Sequence, residues 1–294
     1  MKEALRFIDC KNNPSHTVAP RKSLEIPVMV VCIKCAGQKD SILLYYPRED
    51  KWSMFQGAIP SRIDMVSSCC GKVHFLSQKD KKIFQYDLYF NCSTSVPLEE
   101  HWRFHNLFVR NEGKIYALVK HKDRRSLNHP LHIIKKKPES NSWDCVSSFD
   151  ATGRVGTCIV WSNNFIYFIG GTAVTNGPER VLAAADRYDT ISNTWDKVAD
   201  IREPRSEAYG AAGQGKIFIA GGHKNGSILL ESCEMYHEAR NEWQLIASPR
   251  MSSFCRTTLC VDGKLYLFTD FSSSENDGVI DCYDPDRNEW EEKT

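Results

Sequence analysis

Tyr209-Gly210-Ala211-Ala212-Gly213-Gln214-Gly215-Lys216-Ile217-Phe218-Ile219-Ala220-Gly221-Gly222 is the stretch that decides the fold. Its first part is short and made of small residues, as a strand packed tightly against close neighbours must be. Gln214-Gly215 then supplies a turn, and Lys216 to Ala220 is an apolar run of strand length. Downstream, Tyr236-His237 reads as a turn between two further strands, the second of which contains Trp243. One segment therefore holds four short strands and no period-3.6 stretch.

The unit repeats. Gly71-Lys72-Val73-His74-Phe75, Gly113-Lys114-Ile115-Tyr116-Ala117, Asn164-Phe165-Ile166-Tyr167-Phe168 and Gly263-Lys264-Leu265-Tyr266-Leu267 restate the turn and the apolar strand. Trp52, Trp102, Trp143, Trp195, Trp243 and Trp290 follow one another at intervals of 50, 41, 52, 48 and 47 residues, with Trp161 outside the series. Tyr188, Tyr236 and Tyr283 each stand seven residues before their Trp, and Tyr46 six before Trp52. A period of this length with four strands per copy predicts radially arranged four-stranded sheets, a β-propeller. The large aromatics have a structural task there, because the wedge between neighbouring sheets widens with radius and must be filled.

These residues resemble the kelch repeat, whose pattern is a paired glycine ending one strand, then a Tyr-Asp turn, then a Trp. Gly170-Gly171 with Tyr188 and Trp195, and Gly221-Gly222 with Tyr236 and Trp243, carry it fully. Elsewhere the pair is replaced by Ala36-Gly37, Ser77-Gln78, Val119-Lys120 and Thr269-Asp270, and Ile134 stands where a Tyr is expected. The resemblance implies an all-β, six-bladed kelch propeller of four-stranded antiparallel blades over residues 28–294, with blades ending near the six tryptophans of the series. Glu3-Ala4-Leu5-Arg6-Phe7 and Ala19-Pro20-Arg21-Lys22 look like the last helix and linker of a BACK domain, so residues 1–27 are expected to be a short helix and linker. In BTB-BACK-kelch proteins the BTB and BACK domains engage cullin-3 and the propeller captures the substrate. The resemblance thus implies a substrate adaptor for a ubiquitin ligase, with cullin-3 reached only through domains absent from this chain.

The first blade shows three strands, Val28 to Cys35, Ser41 to Tyr46 and Lys51 to Phe55, where the others show four. The family closes its ring with a carboxy-terminal strand, yet the chain stops four residues after Trp290. Either Met1 to Pro27 supplies the missing strand, or an unpaired edge is left and the chain is a fragment or a short isoform.

Bulk composition narrows the function. The sequence is 41% hydrophobic and 11% aromatic, enough for a packed core, and 38 Lys and Arg against 37 Asp and Glu give no general attraction to nucleic acid or membrane. No apolar run approaches the roughly 20 residues of a membrane-spanning helix, and Met1 to Cys10 lacks the pattern of a signal peptide. A cytoplasmic or nuclear address and reduced thiols follow. Cys32-Ile33-Lys34-Cys35 has no second ligand pair at zinc spacing. No Gly-x-Ser-x-Gly elbow or paired His and carboxylate marks a hydrolase, and Gly210 to Gly215 has no following helix to hold phosphate. The expectation is a binding protein without cofactor or metal. A cytoskeletal or scaffolding kelch protein is the alternative, and a galactose-oxidase-like enzyme a more distant one.

Propellers bind through loops at the mouth of the central channel. One loop set joins the second and third strands: Gln78 to Lys81, Lys120 to Leu127, Thr172 to Arg180, His223 to Ser227 and Asp270 to Asp277. The other joins successive blades. There Arg103, Arg154 and Arg205 fall at one equivalent slot, with Arg62 one position out of step, and repetition suggests framework. The positions two further on vary, as partner-reading residues should. His105, Lys122, Arg124, Arg180, Glu207, His223, Lys224 and Asp270 are the contact candidates for a protein substrate or peptide degron.

Overall fold

The computed structural model describes residues 2–9, 29–35, 41–46, 51–55, 60–69, 72–87, 92–109, 114–122, 130–137, 140–149, 154–173, 179–225, 228–249, 255–269 and 280–293. Among these there is no helix, and hence none able to cross a membrane. The chain divides into two compact units, Met1–Asp150 and Ala151–Thr294.

Each unit holds three four-stranded antiparallel sheets. In the first unit, blade one is Lys2–Asp9, Met29–Cys35, Ser41–Tyr46 and Lys51–Met54. Blade two is Met65–Cys69, Lys72–Ser77, Lys82–Asp87 and Cys92–Pro97. Blade three is Trp102–Val109, Ile115–His121, Leu131–Lys136 and Trp143–Phe149. In the second unit, blade four is Cys158–Ser162, Phe165–Ile169, Ala185–Asp189 and Thr194–Val198. Blade five is Tyr209–Gly213, Lys216–Ala220, Cys233–His237 and Glu242–Ile246. Blade six is Cys255–Val261, Lys264–Thr269, Ile280–Asp284 and Glu289–Lys293. The fold class expected from the repeat is the one observed.

Two expectations are corrected. Glu3 to Phe7 is strand, not helix: Lys2–Asp9 pairs with Met29–Cys35, Asp9 opposite Met29 and Lys2 opposite Cys35, with a bulge between Glu3 and Arg6. The pairing satisfies backbone groups of Met29–Cys35 that a three-stranded blade would leave as an open edge, and that long-range gain outweighs local helix preference. Trp102 does not end blade two. The outer strand of that blade is Cys92–Pro97, which has no tryptophan, and Trp102 starts the inner strand of blade three.

Cores form between neighbouring blades of a unit. Leu76 and Ile83 of blade two pack with Phe104, Ala117, Ile134 and Trp143 of blade three. Tyr167, Ile169 and Val198 of blade four pack with Ile217, Tyr236 and Trp243 of blade five, and Phe218 and Met235 with Leu265 and Tyr283 of blade six. Second strands are apolar on both faces for this reason, each face meeting a different sheet.

The Tyr-Trp pairs also latch blades together. Asn241, in the left-handed region at φ 51°, accepts from Tyr236 Oη at 2.9 Å and from Ala199 N at 2.8 Å, while Trp243 Nε1 donates to Ala199 O at 2.9 Å. Asn288, Tyr283, Trp290 and Ala247 repeat this between blades five and six.

One buried strand residue makes the fold acid-sensitive. His74 is 2% exposed, and burial, with the Lys72 charge second, holds its pKa at about 4. Between its ordinary pKa near 6.5 and about 4, the unfolded chain binds a proton that the folded one refuses. Stability from His74 is therefore complete above the ordinary value and falls as pH drops towards 4. The expected loss is about 3 kcal/mol. Urea denaturation of H74Q at pH 7 and pH 4.5 should show a smaller acid-induced loss than the parent, and an equal loss would refute the assignment.

Candidate functional site

The two loop sets lie together at one end of the strands in both units. In the first unit, Gln78 N donates to Asp64 Oδ2 at 2.7 Å, Ser61 N to Asp80 Oδ2 at 2.9 Å, and Lys122 N to His101 O at 3.0 Å. In the second, Gly171 N donates to Arg205 O at 2.8 Å, His223 N to Ser206 O at 2.8 Å, and Glu207 N to Gly156 O at 2.6 Å. The longer loops carry small hairpins, Thr172–Ala173 with Arg180–Val181 and His223–Lys224 with Ile228–Leu229.

Of the repeated arginines, Arg205 has a fully buried side chain. It donates to Gly221 O, Ser232 O, Glu203 O and Ser232 Oγ, and its Nη2 lies 2.9 Å from the equally buried Glu234 Oε1. Glu234 also accepts from the Arg202 and Glu203 amides. Arg154 repeats the arrangement in blade four, donating to Gly170 O, Phe168 O and Ala184 O and pairing with Asp186 at 2.6 Å. Both side chains brace their own blade, and the link between blades is made by the Arg205 backbone. Arg103 instead lies exposed in a strand, opposite Lys120, and Arg62 is exposed beside Asp64 at 3.3 Å.

The contact candidates separate accordingly. In the second unit, Glu207 and His223 meet, Oε2 to Nδ1, at 3.5 Å. Glu207 is exposed and held at φ 56°, and Lys224 and Arg180 are exposed on the two hairpins. In the first unit, His105 is exposed within the inner strand of blade three. Packing around its ring, and then Lys120 and Arg103, lower its pKa. Lys122 is exposed at the turn after His121. Arg124 and Asp270 lie outside the described residues. The three consecutive lysines of blade three are each engaged locally: Lys135 covers the Tyr116 ring, Lys136 caps the Lys137 and Ser140 carbonyls, and Lys137 pairs with Asp144 at 3.0 Å.

Sequence reasoning missed two features. Ile228 and Leu229 are 60% and 48% exposed at the blade-five hairpin, and Val155, beside Gly156, is 39% exposed. In the hairpin register Leu229 stands opposite His223 and Ile228 opposite Lys224, so the two apolar side chains lie on opposite faces of the ribbon, Leu229 on the face of His223. In blade three, Trp102 is surrounded by His121, His101 and His132, with ring centroids 4.3, 4.7 and 5.3 Å away. Among the described cysteines, burial pushes the Cys158 and Cys233 thiols up to about 12 and raises Cys145 and Cys282 as well.

Blades of this construction are those of a kelch-repeat β-propeller. The Kelch motif family matches residues 204–250, which span blade five and its entering loop. Kelch-like protein 41a from Danio rerio is 29% identical over 144 residues, 46% of this chain and 23% of that protein. The F-box/kelch-repeat protein At1g67480 from Arabidopsis thaliana is 28% identical over 141 residues, 47% of this chain and 37% of that protein. The match thus spans well under half of each relative. The solved structure of YjhT aligns with a TM-score of 0.58 at 14% identity, over 90% of this chain and 94% of that one, and shares the fold.

Proposed function

We propose that the chain is the substrate-recognition part of a BTB-kelch adaptor for a cullin-3 RING E3 ubiquitin ligase, binding a protein segment at the loop face and catalysing nothing. The observation that carries the binding half is the exposure of Ile228 and Leu229 on the blade-five hairpin, beside the exposed Lys224 and Glu207 of the loop face. Exposed apolar anchors ringed by polar groups are what protein interfaces use, and the braced loops beneath cost little ordering on binding. The ligase half is supported by similarity to Kelch-like proteins. Similarity to an F-box/kelch-repeat protein makes the identity of the recruiting domain part of the test.

The experiment uses the complete gene product, tagged in cells, as parent and as an I228D/L229D variant. A captured protein should be lost from the variant by about tenfold or more, since two apolar anchors contribute roughly 1 kcal/mol or more each, while cullin-3 remains bound to both. Partners unchanged between the two would remove the loop face as the site. A loop-face partner without any cullin would leave the scaffolding or cytoskeletal reading.

A further inference from the structure

Blades four and five also meet at the opposite end of their strands, in a groove of about 510 Å³. Phe165, Tyr167 and Arg187 form its blade-four side, and the Gly215-Lys216 and His237 to Arg240 segments its blade-five side. The turns are fixed by Glu238 N donating to Gly215 O and Arg240 N to His237 O, both at 3.1 Å.

The polar groups here are unevenly satisfied. Arg187 stacks on Phe165 at 4.3 Å and lies 3.4 Å from Asp196. Asn163 Nδ2 donates to Glu238 Oε2. Glu238 Oε1 is buried with no hydrogen-bond partner, a costly state unless a ligand completes it; the buried Tyr167 hydroxyl lies against the Arg187 guanidinium, which can donate to it but cannot accept its proton. Burial, then the Glu238 carboxylate, raises the Tyr167 pKa, so its hydroxyl stays a donor. Lys216 and Arg240, on the blade-five side, have no ion pair with any described residue.

We infer that this groove binds a peptide carboxylate together with a neighbouring amide N–H. Lys216 and Arg240 take the carboxylate, Glu238 Oε1 accepts the N–H, and the Tyr167 hydroxyl donates to a peptide carbonyl. A simple anion would leave Glu238 unanswered and add repulsion; a peptide supplies both the acceptor and the donor the groove lacks. The site is independent of the loop face, so its failure would leave that reading intact.

Amide NMR shifts at Gly215, Lys216, Ala239 and Arg240 would follow titration with three peptides. These are acetyl-Gly-Asp-Gly-amide, acetyl-Gly-Gly-Gly with a free carboxylate, and acetyl-Gly-Asn-Gly-amide. Saturable shifts from the first or second support the site and tell a side-chain carboxylate from a terminal one. The K216A/R240A variant should weaken that binding about tenfold through loss of two charge-assisted bonds, partly screened by solvent. The I228D/L229D variant should bind as the parent does. E238Q should also weaken binding although it removes a negative charge, an outcome that attraction of an anion alone would reverse. Absence of shifts from both carboxylate peptides, equal shifts from the Asn peptide, or unchanged affinity in K216A/R240A would overturn the inference.

Discussion

Replacing Arg205 by Met should cost about 3–5 kcal/mol, because it strands a fully buried carboxylate. The Arg205 side chain and Glu234 are both 0% exposed, and Glu234 would keep only the Arg202 and Glu203 amides. The carbonyls of Gly221, Ser232 and Glu203 would lose their arginine donor as well. In urea denaturation, R205M/E234M should be less destabilised than the sum of its single variants, with a coupling of about 2 kcal/mol. Strict additivity would show that the ion pair is not what holds the loop. Arg154→Met should cost less, since its partner Asp186 is 22% exposed and water can answer the freed charge. Arg103→Met should change stability by no more than about 0.5 kcal/mol.

That gradient shows what a sequence can and cannot disclose. Arg103, Arg154 and Arg205 occupy one slot by spacing, yet only two brace a loop. The difference lies in the third strand: Asp186 and Glu234 stand there in blades four and five, while blade three carries Ile133 and Ile134, both buried. Second strands were legible because a turn followed by an apolar run is a local signal. The role of Trp102 was not, because the outer strand of blade two carries Ser93, Thr94 and Ser95 where other blades place a tryptophan. The uneven intervals on either side of Trp102 were the available sign. The strand at Lys2–Asp9 was illegible for another reason: its conformation is decided by an open edge at Met29–Cys35, far along the chain. Glu207 and His223 could be assigned to the loops from spacing, but not their contact. Ile228 and Leu229 pair with His223–Lys224 in a small hairpin and have no place among the four strands of blade five. Apolar residues left over from a complete blade are the signal that would have found them.

The paired glycines provide the other large effect. Gly170→Ala should destabilise the fold by about 4 kcal/mol, and Gly215→Ala by only about 1 kcal/mol, although both positions need a left-handed backbone. Gly170 has φ 63° and Gly215 φ 70°, so the conformational penalty for a Cβ, about 1–2 kcal/mol, is shared. What differs is the space. A Cβ on Gly170 would stand 2.2 Å from Arg205 O, a backbone atom, whereas one on Gly215 would meet nothing within 4 Å. Arg205 O cannot retreat without losing its bond from Gly171 N at 2.8 Å. The clash therefore falls on the joint between the loops of blades four and five, where Arg154 Nε also holds Gly170 O at 2.6 Å. G170A should accordingly reduce amide protection at Gly171 and Leu182 before the blade cores open, as hydrogen exchange would detect, while G215A leaves those amides unchanged. Equal costs for the two substitutions would mean that the kelch glycine pair is retained for its backbone angles alone, and that close approach of the loops adds nothing.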